Sequence, residues 1–130
     1  MNAFKEEMKM RTLEVAKACI QFTASLPKDY EYQVIKRQLI RSVTSVGANY
    51  HATCRGKSKP DFINKLHIVE EECDECLYWL ELIKALGDVQ HQQFDAIQKE
   101  LSEILAIVIT SIKTTKGIPK EEGQLPEENS

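Results

Sequence analysis

Glycine and proline are scarce in this chain of 130 residues, five and four respectively, and histidine occurs only three times. No Gly-rich loop able to cradle a phosphate is present, because Gly56 stands without companions. None of the three histidines follows a glutamate by three positions, which excludes the paired Glu-x-x-His ligands of a di-iron bundle. Long hydrophobic runs are missing too: the longest strongly apolar stretch is Ile104 to Ile109, whereas a membrane span needs about 20 residues. Lys5, Glu6 and Glu7 stand where a secretory signal would carry its apolar segment, so neither export nor membrane insertion is expected, and the cytoplasm is the expected location. The four cysteines fall inside helical patterns rather than in a loop-rich secreted framework, and reduced thiols are expected.

What is present is apolar periodicity. With 42% apolar and 28% charged residues the chain describes one globular domain. Its apolar residues recur at helical spacing almost throughout, with no convincing period-two strand. Four helices are predicted. The first, about Phe4 to Ser25, places Met8, Val15, Cys19, Phe22 and Leu26 on one stripe with Leu13, Ala16 and Ile20 beside it, and Pro27 closes it. The second, about Tyr32 to Cys54, carries Ile35, Leu39, Val43, Val46 and Tyr50. Ser58 caps the third, with Asp61 completing a capping-box-like pair, Pro60 in the first turn and Gly87 as the stop. Its seam of Phe62, Leu66, Val69, Cys73, Cys76, Leu80 and Ile83 alternates steps of four and three, the pattern of a shallow-angle helix contact. The fourth, about Gln92 to Thr115, presents Phe94, Ile97, Leu101, Ile104, Val108 and Ile112. Short connections between rods of roughly 30–40 Å permit only antiparallel neighbours, so the expected fold is all-α, an antiparallel up-down-up-down four-helix bundle over residues 1–116. Residues 117–130, with two prolines and an acidic balance, are expected to be a disordered tail.

Two features exceed what a lone bundle needs. Leu77, Tyr78, Trp79, Leu80, Leu82, Ile83 and Leu86 make the third helix apolar around most of its circumference, and a helix of that kind must be covered all round. Behind the apolar stripe of the second helix lie Ser45, Ala48, Asn49 and Ala52, small enough for close approach of another helix. These residues, with Leu77, Tyr78, Trp79, Leu82 and Leu86, are the candidate surface for self-association.

Catalytic chemistry is not expected. Cys73 and Cys76 form a C-x-x-C pair, but both fall on the seam, and the other ligand candidates, His51 and Cys54, sit on the order of 15–20 Å away along the hairpin. No nucleophile, base and oxyanion donor fall into a recognisable grouping. Neither an enzyme nor a cofactor, metal or small-molecule substrate is therefore expected. The charge is more informative. Up to His67, 12 Lys and Arg stand against 6 Asp and Glu; beyond it the balance is 5 against 14. The net charge of −3 thus conceals a dipole of +6 and −9. Arg55, Lys57 and Lys59 flank the start of the third helix, where free amides and the helix dipole favour an anion. Together with Lys36, Arg37 and Arg41 they are the candidate nucleic-acid contacts. The competing reading makes them a solvated loop, with Arg37 and Arg41 paired to the acidic run Glu70 to Glu75.

Three strings carry a resemblance: Gln38 to Tyr50, the Arg-Gly-Lys-Ser-Lys-Pro-Asp-Phe link ending at Phe62, and Glu75 to Leu82. Over about Leu13 to Lys116 the chain resembles the bacterial four-helix-bundle family named for open reading frames in intervening sequences of 23S ribosomal RNA genes. That resemblance implies a closed up-down bundle, a ring-shaped homo-oligomer of five copies, and kinship with the accessory variability protein of diversity-generating retroelements, a basic nucleic-acid-binding ring. By position, Arg41, Ser45 and Asn49 match the family's polar ladder, and Ser58 and Phe62 its third-helix start. Two functions follow as expectations: an oligomeric RNA-binding or ribosome-associated module, or a structural adaptor that binds another protein and no nucleic acid.

Overall fold

The computed structural model describes residues 2–87 and 91–117. It contains α1 (Ala3–Thr23), α2 (Tyr30–Thr53), α3 (Lys59–Leu86) and α4 (His91–Lys116), with no strand among the described residues. Beyond Gly117 the acidic tail lies outside the described residues. Each helix packs on the one before and the one after it, and α1 returns to α4, while the diagonal pairs α1–α3 and α2–α4 make no close backbone approach. This is the up-down-up-down four-helix bundle that the helix spacing predicts.

Local signals set the helix ends. Asn2 Oδ1 accepts the N–H groups of Phe4 (2.8 Å) and Lys5 (3.4 Å) at the start of α1. Ser58 caps α3 by accepting the Asp61 N–H, and Gly87, at φ 94°, ends it in the left-handed region that glycine tolerates without strain. Where α2 turns toward α3, glycine is needed for space. A Cβ on Gly56 would meet the Thr53 carbonyl at 3.1 Å and Asp61 Oδ2 at 3.3 Å.

The four seams meet in one core. Phe22 and Phe94 touch edge to face with centroids 6.0 Å apart, and Leu39, Leu66, Leu80, Ile83, Leu101 and Ile104 are fully enclosed. Each side chain of this size contributes roughly 1.5–3 kcal/mol on burial, so the interdigitated seams are the dominant stabilising term. Cys19, Cys73 and Cys76 belong to this core. Burial pushes the thiols of Cys19 and Cys73 up to about 12, and that of Cys76 higher still. All three are therefore un-ionised and act as small apolar residues.

The outer face of α1 differs from expectation. Of the three residues placed beside its core stripe only Ala16 is buried, whereas Leu13 and Ile20 are exposed, together with Met10. The buried arc of α1 turns toward α2 at Thr12, whose backbone lies 3.6 Å from where a Cβ on Gly47 would stand. That rotation leaves Leu13 and Ile20 on the outside.

Candidate nucleic-acid and assembly surfaces

The six candidate nucleic-acid residues fall into three groups rather than one patch. Arg55, Lys57 and Lys59 are exposed around the α2–α3 turn, and none of their side chains has an ion pair among the described residues. Beside them is a concavity of about 370 Å³ lined by Ala52, Arg55, Lys57, Asp61 and Lys65. The helix amides expected to attract an anion here are already partly served. Ser58 Oγ accepts the Asp61 N–H at 3.2 Å, and Asp61 Oδ2 accepts the Lys57 N–H at 3.3 Å. Lys65 Nζ lies 2.8 Å from Asp61 Oδ1. The Lys65 hydrogen bond, followed by that from Lys57, holds the Asp61 carboxyl below its ordinary range. The anion at the α3 dipole is thus the chain's own carboxylate, and the loop cations around it remain open to solvent.

Arg41 stands apart from the turn cations. Its guanidinium pairs with Glu75 and lies 3.9 Å from Glu72, while Ser42 Oγ donates to Glu75 Oε1 at 2.9 Å. Glu72 Oε1 is buried without a hydrogen-bond partner among the described residues, and the half-exposed guanidinium lies only at the outer limit of ion-pair distance from it. Of the two readings open for Arg41, the structure contains the pairing with the acidic run. Lys36 and Arg37 are 18 to 19 residues from Arg55, about 27 Å along α2. With Gln33 and Ile40 they line a separate groove of about 250 Å³.

The candidate assembly residues divide as well. Leu77, Trp79 and Leu82 are half-buried and pack against the chain's own core, while Tyr78 and Leu86 are 58% and 45% exposed. Tyr78 lies edge-on to Trp79 with centroids 5.0 Å apart, and the Trp79 Nε1–H is buried without an acceptor. The apolar circumference inferred for α3 is therefore in part its contact with α2 and α4, and the outward remainder is narrower. On α2, Ala48 is exposed and Ser45, Asn49 and Ala52 are half-buried. Asn49 Nδ2 donates to both the carbonyl and the hydroxyl of Ser45, each at 2.9 Å, so this pair satisfies itself within one helix.

Arg11 was not singled out by the sequence. It bridges α1 to α4, with Nε and Nη2 at 2.9 and 2.7 Å from the two carboxylate oxygens of Glu100 and Nη2 also 2.9 Å from Glu103. The fork raises the Arg11 pKa, the Glu100 hydrogen bond being the largest cause. Glu100 and Glu103, one turn apart on the fourth helix, were the available signal, but one carboxylate pair among so many does not name its cation.

Fold and surfaces together define a class, an antiparallel helix bundle with a cationic turn and an apolar outer face. Among the described residues no three His, Cys, Asp or Glu side chains come together as a metal site, and no helix is long and apolar enough to cross a membrane. The sequence model of the 23S rRNA-intervening sequence protein matches residues 5–110, and the chain belongs to that family. A crystal structure of a protein of unknown function from the S23 ribosomal protein family of Bacteroides thetaiotaomicron is similar to it, with 33% identity and a TM-score of 0.77. That similarity covers 85% of this chain and 98% of the other. No curated protein matches the sequence.

Proposed function

We propose that this chain is a non-catalytic cytoplasmic bundle that assembles with copies of itself into a ring of five and contacts RNA, free or in the ribosome, through Arg55, Lys57 and Lys59. The observation that carries the RNA reading is the contrast in how the cations are used. Arg11 and Arg41 are spent on carboxylates within the bundle, whereas the three turn cations have no ion pair among the described residues and crowd within five residues. Such a cluster suits phosphates, which are read by charge and not by shape. One cluster is weak. Assembly supports the reading by multiplying it, because several copies with parallel turns engage one RNA with an effective concentration that a monomer lacks. Self-association is in turn supported by Tyr78 and Leu86, large apolar side chains left outside the core.

Binding to structured RNA, followed across salt concentrations, tests this function. The expected result is affinity that falls steeply with salt, and a slope that flattens by up to about three units when Arg55, Lys57 and Lys59 are all changed to alanine. Absence of binding at low salt overturns the RNA reading and leaves the adaptor that binds another protein. Light scattering tests assembly separately: a mass well above 14.9 kDa is expected, and a monomer at micromolar concentration refutes it.

A further inference from the structure

Residues 1–117 hold 16 Lys and Arg against 16 Asp and Glu, so the whole net charge of −3 belongs to the 13 residues that follow Gly117. There Glu121, Glu122, Glu127 and Glu128 stand as two adjacent pairs against one cation, Lys120. The bundle itself is neutral, and the acidic excess of the chain starts from one end of it.

That end is the one with the cationic turn. Because α4 runs antiparallel to α3, its last residues lie beside the first turns of α3, and Lys116 Nζ is 3.4 Å from His67 Nε2. From His67 back to Lys59 is eight residues, about 12 Å along the helix, and crossing α3 adds about 10 Å, so the straight path is roughly 16 Å. An extended chain covers at most about 3.3–3.6 Å per residue. Glu121 and Glu122, four and five residues past Gly117, reach the edge of the turn, and Glu127 and Glu128, ten and eleven residues past it, reach it with slack.

Several cations at this end are already engaged. Lys5 Nζ lies 5.1 Å from the centroid of the Phe62 ring, Lys9 pairs with Glu6 at 3.0 Å, and Lys65 pairs with Asp61 at 2.8 Å. Arg55, Lys57 and Lys59 have no ion pair among the described residues, and the first two line the concavity of about 370 Å³. Asp61 already accepts the Lys57 N–H, so a second carboxylate meets the side chains of the turn rather than its amides.

We infer that the chain's own acidic tail seats a glutamate pair on Arg55, Lys57 and Lys59 and competes there with RNA phosphate. The docking stands on charge and reach, and the competition rests on the RNA reading. Tethered so closely, the glutamates are present at the turn at an effective concentration on the order of millimolar, enough for contacts too weak to hold a free peptide. The tail thereby sets a threshold that an RNA must exceed with its own phosphates.

Cross-linking tests the docking without RNA. Carbodiimide joins a carboxylate to an amine in contact with it. With labelled and unlabelled full-length copies mixed, links from the tail glutamates to Lys57 or Lys59 are expected within one chain, in a yield that falls as salt rises. Links only to Lys36, Lys113 or Lys116, or only between chains, overturn the docking. The competition is tested by changing Glu121, Glu122, Glu127 and Glu128 together to glutamine. This variant is expected to bind structured RNA about two- to fivefold tighter at low salt, as a tethered competitor near its own dissociation constant requires. With Arg55, Lys57 and Lys59 already changed to alanine, the same four substitutions are expected to give a clearly smaller gain. No gain, or an equal gain in both backgrounds, overturns the competition, the second being a plain effect of net charge. If the wild type and the glutamine variant both fail to bind RNA at low salt, the RNA reading falls and the cross-links alone decide the docking.

Discussion

The two ends of the α2–α3 hairpin are built from the same pair of helices and do opposite things. At the turn end the exposed side chains include Arg55, Lys57, Lys59 and the small Ala48; at the far end they include Tyr30, Tyr78 and Leu86 beside the charged Glu31, Glu81 and Lys84. Both ends share one inner seam, so the core does not account for the difference. Arg41 stands between them, closing the acidic run of α3 with Glu72 and Glu75. The contrast teaches that burial specifies the inside of a helix pair and leaves its outside free to be divided, here into a cationic turn and a far end with exposed aromatic and aliphatic side chains.

The sharpest way to break that contrast is to compare neighbours on either side of the seam. Leu80→Ala, inside at the far end, is expected to destabilise by about 2–5 kcal/mol in urea unfolding, through lost burial and the cavity left behind. Tyr78→Ala, two residues away but outside, is expected to leave protomer stability within about 0.5 kcal/mol. Equal costs would show that the outer line is core after all. At the turn, Ser58→Ala removes the acceptor for the Asp61 N–H and is expected to cost about 1 kcal/mol in the same measurement.

Between the ends, Arg41→Ala is expected to cost less than about 1 kcal/mol, since the guanidinium is half exposed and its pairing is screened. RNA affinity is expected to be unchanged, and a loss as large as that of the turn variant would merge the two regions. The smallest effect concerns pH. The Asp61 carboxyl is held below its ordinary value of 3.8, so its contribution is fully present at neutral pH and fades as the pH falls through 3.8 toward the lowered value. The difference in melting temperature between wild type and Asp61→Asn is expected to shrink over that acidic range.

Much of this arrangement was legible in the chain. The steps of four and three through Leu66, Val69, Cys73, Cys76, Leu80 and Ile83 are a seam in the sequence and a buried seam in the bundle. Ser58 and Gly87 mark the ends of α3 because capping is local chemistry, decided by a hydroxyl and a missing Cβ. Less legible was how wide each buried arc is. Leu13 and Ile20 look like flanking core residues in a helical projection, yet the buried arc of α1 runs through Thr12 and Ala16 and leaves them outside. Leu77 and Tyr78 look alike in an apolar run, but only Tyr78 turns away from the core. Among the cations, composition treats Arg11, Arg41 and Arg55 as equals, and only their neighbours separate them.

The sequence by itself determined four helices, their ends, their antiparallel order and the +6 and −9 division of charge, because periodicity, caps and short connections act over a few residues. The tertiary structure decided what pairs with what. It joined Arg11 to Glu100 across the bundle and Arg41 to Glu75 across the hairpin, and it left Leu13 and Ile20 of α1 and Tyr78 and Leu86 of α3 exposed. Those relations depend on the rotation of each helix about its axis, set by the packing of all four seams at once, and no local pattern encodes it.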